Sequence, residues 1–444
     1  MRYQNWLIAA TYLVAIDVGW ANNCSIPEDG YFVIDSQAKA NELSNCKTYF
    51  GRVHIDTARS EFDPNLSITL QGVEKIDGTL VVADISSFSA PDLREVNGFL
   101  YIRGKMNPAA ALNLSLPALE TVSSDVQIYT RATESLSFPS LIRIGGLEVD
   151  HAYRLRRLSW GPTGFPIIMN RDGKVLIQES GIESVDWLFS NKRASLGSVE
   201  IKSSGVSNIT IVCKSIDNLS IAGVDINVTF DMFSAAYPGS NIGKLSLSGM
   251  RQINYVAAPD TVADLIVTES SFTQLHIPFS VTNSLTISNN RELTNLYYIG
   301  NEGSYWDTFG TPQTRSITLE NNPALSYNFF TNMGETNTST GAWRWPQAAM
   351  DTLVFKGSNF SSYFFSGLLQ SKWPVMRFEV SSDNSDFSCE DMDKLRKNKD
   401  DGKFPGQYRC QRRDPRYGSA VHLELSRWNI YGVASAVVAL TAML

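Results

Sequence analysis

Pro91, Leu93, Val96, Leu100, Ile102; Pro117, Leu119, Val122, Val126, Ile128; Pro139, Leu141, Ile144, Leu147, Val149: one short pattern is written three times between Pro91 and Val149. Each copy opens with a Pro-x-Leu-x-x-Val/Ile step that turns the chain. An alternating apolar pair follows, its polar neighbour pointing the other way, which marks a short strand with one buried face. Successive strands lie roughly twenty to twenty-six residues apart, the length of one coil of a leucine-rich or β-helical solenoid. A single coil cannot bury its own apolar side chains, so neighbours must stack and the Leu, Ile and Val pairs form a ladder inside. The expected fold is mainly β, a right-handed solenoid related to leucine-rich repeats, with function on the outside.

Working outward, similar pairs recur at Val53 and Ile55, Ile68 and Leu70, Leu80 and Val82, Val175 and Ile177, Val199 and Ile201, Leu219 and Ile221, Leu245 and Leu247, Leu265 and Val267, and Leu285 and Ile287. The last are Ile317 and Leu319, Leu353 and Phe355, and Phe378 and Val380. Gly, Ser, Asn and Asp lie between them and long helical patterns are absent. Two coils carry paired asparagines just after the strand, Asn289 with Asn290 and Asn321 with Asn322. Such an asparagine either turns inward to bond backbone amides of neighbouring coils or stays exposed in a turn. After Ile287 the intervals lengthen, and the added segments hold Tyr297, Tyr298, Tyr305, Trp306, Phe309, Phe329, Phe330, Trp343 and Trp345. Extra residues must loop out of the stack, so these aromatics either fold back over the core or form a surface patch, with Tyr305, Trp306, Trp343 and Trp345 as its candidates.

The chain has 444 residues, a formal charge of −7 and 19% charged residues, with lysines and arginines scattered. No basic stripe points to nucleic acid. A solenoid grows by adding coils, so this length is compatible with one elongated unit. Arg2, the apolar run from Trp6 to Ile16, and Gly19, Trp20 and Ala21 read as a secretory signal peptide over residues 1–21, with the mature chain starting at Asn22. Gly418, Ser419 and Ala420, a spacer from Val421 to Trp428 and an apolar tail from Ile430 to Leu444 read as a GPI-attachment signal, with Gly418 or Ser419 as the attachment residue. The tail is shorter than the ~20 apolar residues of a membrane-spanning helix and lacks a basic flank.

Cys24 and Cys46 precede the first clear coil, and Cys389 and Cys410 follow the last; each pair is close enough in sequence to staple one end. Cys213 is left over in an apolar run, as a buried thiol or as half of an intermolecular bridge. Eight sequons, at Asn23, Asn65, Asn113, Asn208, Asn218, Asn227, Asn337 and Asn359, would accept glycans in the secretory pathway. From Cys24 to Cys46 the chain reads as a cap, with a strand at Tyr31 to Ile34 and a helix from Ser36 to Leu43 that has Ser36 as its N-cap.

A β-helix can also be a polysaccharide lyase or hydrolase, which would place carboxylates on a groove. Asp150 with His151, Asp84 and Asp56 occupy similar places after strands, and the simpler reading is turn residues whose side chains bond local amides. His54, His151, His276 and His422 are isolated in sequence, and no Gly-x-Ser-x-Gly, phosphate loop or paired Cys-x-x-Cys metal site occurs. The expectation is therefore a non-enzyme with no catalytic residues, no metal and no cofactor. A receptor-like module is the other class, using outward positions such as Tyr101, Gln127, Glu148, Glu200 and Glu379, which share no evident chemistry.

The two ends resemble a known family. Cys24 and Ser25, then Ile34, Ser36, Gln37 and Ala38, Leu43, Ser44 and Cys46, and Gly51, Val53 and Ile55 look like the N-terminal cap of fungal GPI-anchored cell-wall organisation proteins, the extracellular-mutant and sporulation-specific group. Phe387, Ser388 and Cys389, Asp393, Leu395, Gly406, Tyr408 and Cys410 are similar to that family's C-terminal cysteine motif. The resemblance implies a fold similar to the receptor L domains of insulin and epidermal growth factor receptors. It also implies residence at the plasma membrane or cell wall, partners among wall glucan or other wall proteins, and a part in wall organisation, integrity or spore-wall assembly. Family members carry a long Ser-rich stretch before the anchor, whereas here only Gln411 to Tyr417 intervenes, a short basic stalk. The expected organisation is a signal peptide at 1–21, an N-terminal cap at 22–60 and a repeat solenoid at 61–385, as one L-domain-like unit or two in tandem. A disulfide cap at 386–411 and a stalk with the attachment signal at 412–444 complete it.

Overall fold

The computed structural model describes residues 24–25, 30–56, 66–104, 111–170, 173–232, 239–298, 314–325, 348–365, 368–369, 373–390, 392–393 and 403–412. Strand takes 53% of the described residues and helix 6%, and the strands wind into a parallel β-solenoid of about 12 turns. Among the described residues no helix is long and apolar enough to cross a membrane.

Each coil of the regular part has three sides. The main side stacks the apolar pairs in one register: Val53 lies beside Leu80, Leu80 beside Leu100, Leu100 beside Val126 and Val126 beside Leu147. From there it continues through Val175, Val199, Leu219, Leu245, Leu265 and Leu285. Ile317 and Leu353 keep the register despite the long segments before them, and Phe378 and Tyr408 extend it. A second side holds strands such as Ser87–Ser89, Ser135–Phe138 and Gln274–Ile277. The third side is short, with Glu95–Val96 beside Thr121 and Val122, which in turn lie beside Arg143 and Ile144. Both Ser215–Asp231 and Asn241–Ala257 bend from the main side onto the second, and their pairing shifts register between Ala222 and Ile226.

The Pro-x-Leu step turns the chain between the second and third sides. The amides of Leu93, Leu119 and Leu141 donate to the carbonyls of Ala90, Leu116 and Phe138, each 3.4 Å away, closing a four-residue turn with proline in its second place. All three leucines are fully buried. The pair Ile68 and Leu70 departs from its expected place. Both are buried, but Ser67–Thr69 pairs with Ser87–Ser89 on the second side, so Val53 meets Leu80 directly. Alternation marks a strand with one buried face without saying which side of the coil it lies on.

The ends are closed as the sequence predicts. Tyr31–Ile34 is a strand paired with Arg52–Ile55, and the helix Gln37–Glu42 is capped by Ser36, whose hydroxyl accepts from the Lys39 amide. Cys24 is bonded to Cys46 and Cys389 to Cys410. The Gln37 amide does what a neighbouring strand would do, donating to the Thr69 carbonyl and accepting from the Thr69 amide, both at 2.8 Å. A free strand edge is a template for unwanted pairing, and this side chain occupies part of it. At the other end the Tyr408 ring stacks on Phe378 and its hydroxyl donates to Asp393 at 2.7 Å.

The paired asparagines divide the two readings between them. Asn289 and Asn321 take left-handed backbone, φ 61° and 55°, and stay outside, where Asn321 Nδ2 donates to Asn289 Oδ1. Asn290 and Asn322 are fully buried. Asn290 Oδ1 accepts from the Ser270 amide at 3.0 Å, and Asn322 Oδ1 from the Asn290 amide at 3.1 Å. Their Nδ2 groups donate to the carbonyls of Ser288 and Ile287. Asn290→Ala would strand these buried groups, each at about 1–3 kcal/mol, whereas glycine adopts left-handed backbone freely. Asn290→Ala should therefore lower the denaturant midpoint markedly while Asn289→Gly leaves it nearly unchanged; equal losses would contradict this division of roles.

Candidate functional site

With the interior filled by apolar side chains, chemistry is left to the outward columns and the corners. On the main side Tyr101, Gln127, Glu148, Leu176 and Glu200 form one column across consecutive coils. Glu200 is held by Lys174 of the previous coil and by Lys202. Burial pushes its carboxyl up, but the hydrogen bonds and charges of the two lysines outweigh that and hold it below its ordinary value. Tyr129 is pushed up by burial and by its hydrogen bond to Glu148. Glu379 repeats the arrangement near the far end, between Val354 and Arg409, and is only 4% exposed. Arg377 Nε and Nη2 both donate to its Oε1, at 3.0 and 2.8 Å, while Lys356 pairs with Oε2. The Lys356 hydrogen bond leads in holding this carboxyl below its ordinary value, with Arg377 adding to it against burial. The two glutamates thus tie coils together.

A second column runs along the corner where the chain leaves the main side. Asp84, His151, Glu179, Ser203, Glu269, Asn289 and Asn321 all take left-handed backbone there. Each follows the second residue of its strand's apolar pair by two positions, so the register of the sheet aligns these residues along one corner. His151 and Glu179 meet in this way, with His151 Nε2 3.2 Å from Glu179 Oε2. On the other edge of the ring Nδ1 lies 2.8 Å from Asp150 Oδ1. Despite that proximity Asp150 Oδ1, an enclosed oxygen, has no aligned hydrogen-bond donor. Tyr153 donates its hydroxyl to Glu179 Oε2 at 2.8 Å. Two sequence expectations change here: Asp150 Oδ1 does not bond a local amide, and His151, isolated in sequence, sits between two carboxylates. Asp56 and Asp84 are not part of this group. The coils of Leu100 and Val126 lie between Asp84 and Asp150.

Of the sequons, Asn113, Asn208 and Asn359 are exposed, with Asn113 and Asn208 on the second side. Asn218 and Asn227 are half-buried and bonded, to Ser198 Oγ at 3.3 Å and to Asn208 Oδ1 at 3.0 Å. Asn23, Asn65, Asn337, Gly418, Ser419, Tyr305, Trp306, Trp343 and Trp345 lie outside the described residues. Cys213 is a free, buried thiol pushed up to about 12 by burial, which leaves it protonated and inert near neutrality.

Sequence reasoning missed an aromatic cluster beside the second side. Phe138 stacks on Trp160 at 5.5 Å, and Phe165 and Trp187 pack on Trp160 at 5.3 and 5.4 Å. Trp187 Nε1 donates to the Ser184 carbonyl, while Trp160 Nε1 is enclosed without a hydrogen-bond acceptor. The available signal was Trp160 falling in step with Leu158 on a period of two; Phe165 and Trp187, on a turn and a one-turn helix, carried none.

No family model, no curated protein and no solved structure matches this chain.

The buried charge cluster gives a pH test. A carboxyl whose folded value lies below its unfolded one stabilises the fold above the unfolded value, and that stability is lost as pH falls through the folded one. Glu379→Gln should lower stability by on the order of 1 kcal/mol at pH 7, allowing for the exposure of its cationic partners. The deficit should shrink at pH 3, as urea melts of both proteins at the two pH values will read; an undiminished deficit at pH 3 would rule out the charge as its source.

Proposed function

We propose that this chain is a non-catalytic, GPI-anchored cell-surface glycoprotein that supports fungal cell-wall organisation, integrity or spore-wall assembly through the outer faces of its solenoid. The observation that carries the extracellular part is the pair of disulfides, one near each end of the stack. Such bonds persist in oxidising compartments and are rare where thiols are kept reduced. Exposed sequons at Asn113, Asn208 and Asn359 suit the same route, since a glycan needs an open surface.

The wall assignment rests on the resemblance of the two ends to the fungal family, and the cap geometry gives those residues work to do. Ser36 caps the helix, Gln37 closes the edge at Thr69, and Tyr408 packs on the last coil. A continuous core leaves the long outer faces as contact surface for wall glucan or other wall proteins, with the lipid anchor holding the stack at the membrane.

Intact cells expressing the protein should release it on treatment with phosphatidylinositol-specific phospholipase C if the anchor stays on the membrane, or with wall glucanase if the anchor has been transferred to glucan. Release by neither, with the 430–444 tail still present by mass spectrometry, would overturn the anchor. Glycopeptide mapping should find glycans at Asn113, Asn208 and Asn359; bare asparagines at every sequon would contradict the secretory route.

A further inference from the structure

At the corner beyond Val149, Asp150, His151 and Glu179 form the one group among the described residues whose potential ligand atoms converge, all lying within 4.8 Å of one another. We propose that they bind a single divalent transition-metal cation of the zinc class. The site uses one ring nitrogen and one oxygen from each carboxylate, with water completing the coordination. This inference goes beyond the surface role proposed above and does not depend on where the protein resides.

The spacing suits a shared cation. Two donors each ~2.1 Å from one metal lie roughly 3.0–3.4 Å apart at octahedral or tetrahedral angles. The imidazole has carboxylate oxygens 2.8 and 3.2 Å from its two nitrogens, on opposite edges of the ring, so one nitrogen already has an oxygen at near-ligand spacing; rotation of the other carboxylate toward that edge completes a donor set whose atoms lie within 4.8 Å of one another.

An independent observation points the same way. Asp150 is only 8% exposed, and its Oδ1 faces the ring without a hydrogen-bond donor. A buried carboxylate oxygen left so calls for a positive partner.

The donors are also held in place. His151 and Glu179 stand at the same corner of adjacent coils because Val149 and Ile177 pair in the core. Tyr153 fixes the Glu179 carboxylate from the outside, as outer partners of metal ligands do. Farther along the same column Asn289 and Asn321, both neutral, bond each other directly. The imidazole selects among cations: one nitrogen with two oxygens suits zinc or its neighbours, whereas calcium and magnesium prefer oxygen alone. With His151 and Glu179 about half exposed, the remaining positions open to water.

The test uses the full chain after dialysis against a chelator, titrated with zinc chloride at pH 7 by calorimetry and with cobalt chloride by visible absorption. One saturable site is expected, with visible cobalt bands. Affinity should fall at least tenfold in His151→Asn, whose new side chain tolerates left-handed backbone, and in Glu179→Gln. Unchanged melting of the metal-free variants will separate loss of ligands from loss of fold. Zinc affinity equal in wild type and variants would place the ion elsewhere and overturn the proposal. No saturable uptake, with a His151 ring signal that titrates in NMR as an imidazolium between the two carboxylates, would overturn it in favour of a proton.

Discussion

Everything in this molecule depends on adjacent coils keeping a single register. Parallel strands bond edge to edge, so a coil that keeps its place sets its apolar pair directly over the pair below, from Val53 over Leu80 onward. Burial of those pairs is the main source of cohesion, at about 25 cal/mol per Å² of apolar surface removed from water. A slip of one residue would turn every buried side chain of a strand outward. Register is therefore a constraint on all coils at once, and the three-sided shape follows from where the chain must bend to return to it.

Bending creates the second problem, which is polar. At a corner the backbone leaves the sheet and its amides lose their strand partners, yet they stay enclosed between coils. The chain answers with short polar side chains directed inward. Ser270 Oγ accepts from the Met250 amide, Asn290 from Ser270 and Asn322 from Asn290. Thr130 and Thr133 do similar work in an earlier coil, where their hydroxyls bond each other at 2.7 Å and Thr133 Oγ1 accepts from the Leu112 amide. At Gly249, with φ 74°, an added Cβ would run into the Gly223 carbonyl, so a side chain is excluded from that corner. The corners are thus as specific as the core.

The parts of this design legible in sequence are those that repeat. Period-two apolar pairs named the strands, Pro91, Pro117 and Pro139 named one turn, and the end cysteines and Ser36 named the caps. What stayed hidden depends on distances between coils. Ile68 and Leu70 carried the right alternation but lay on the second side, because alternation is blind to which side a strand occupies. Glu95–Val96 is too short to declare itself as a strand. Asp150 and His151 stood out as a pair, but Glu179 is a coil away and joined them only once Val149 was known to lie beside Ile177. The outward glutamates showed no common chemistry as a string, since the lysines and arginine that neutralise them come partly from neighbouring coils.

The same constraint decides where chemistry can accumulate. Inside the stack every position is committed to packing or to corner hydrogen bonds. On the main face the charged residues are largely consumed in pairs within and between coils, as with Glu200 and Glu379. A corner differs, because left-handed backbone points its side chain away from the sheet while the strands on either side fix its position. A donor placed there is rigid without being covered. A solenoid therefore offers one such place per coil, and neighbouring coils supply partners at a fixed spacing. Where the column holds asparagines it closes on itself; where it holds histidine and glutamate it leaves charge and lone pairs in reach of solvent, which makes the corner of Asp150, His151 and Glu179 chemically unlike the rest of the column.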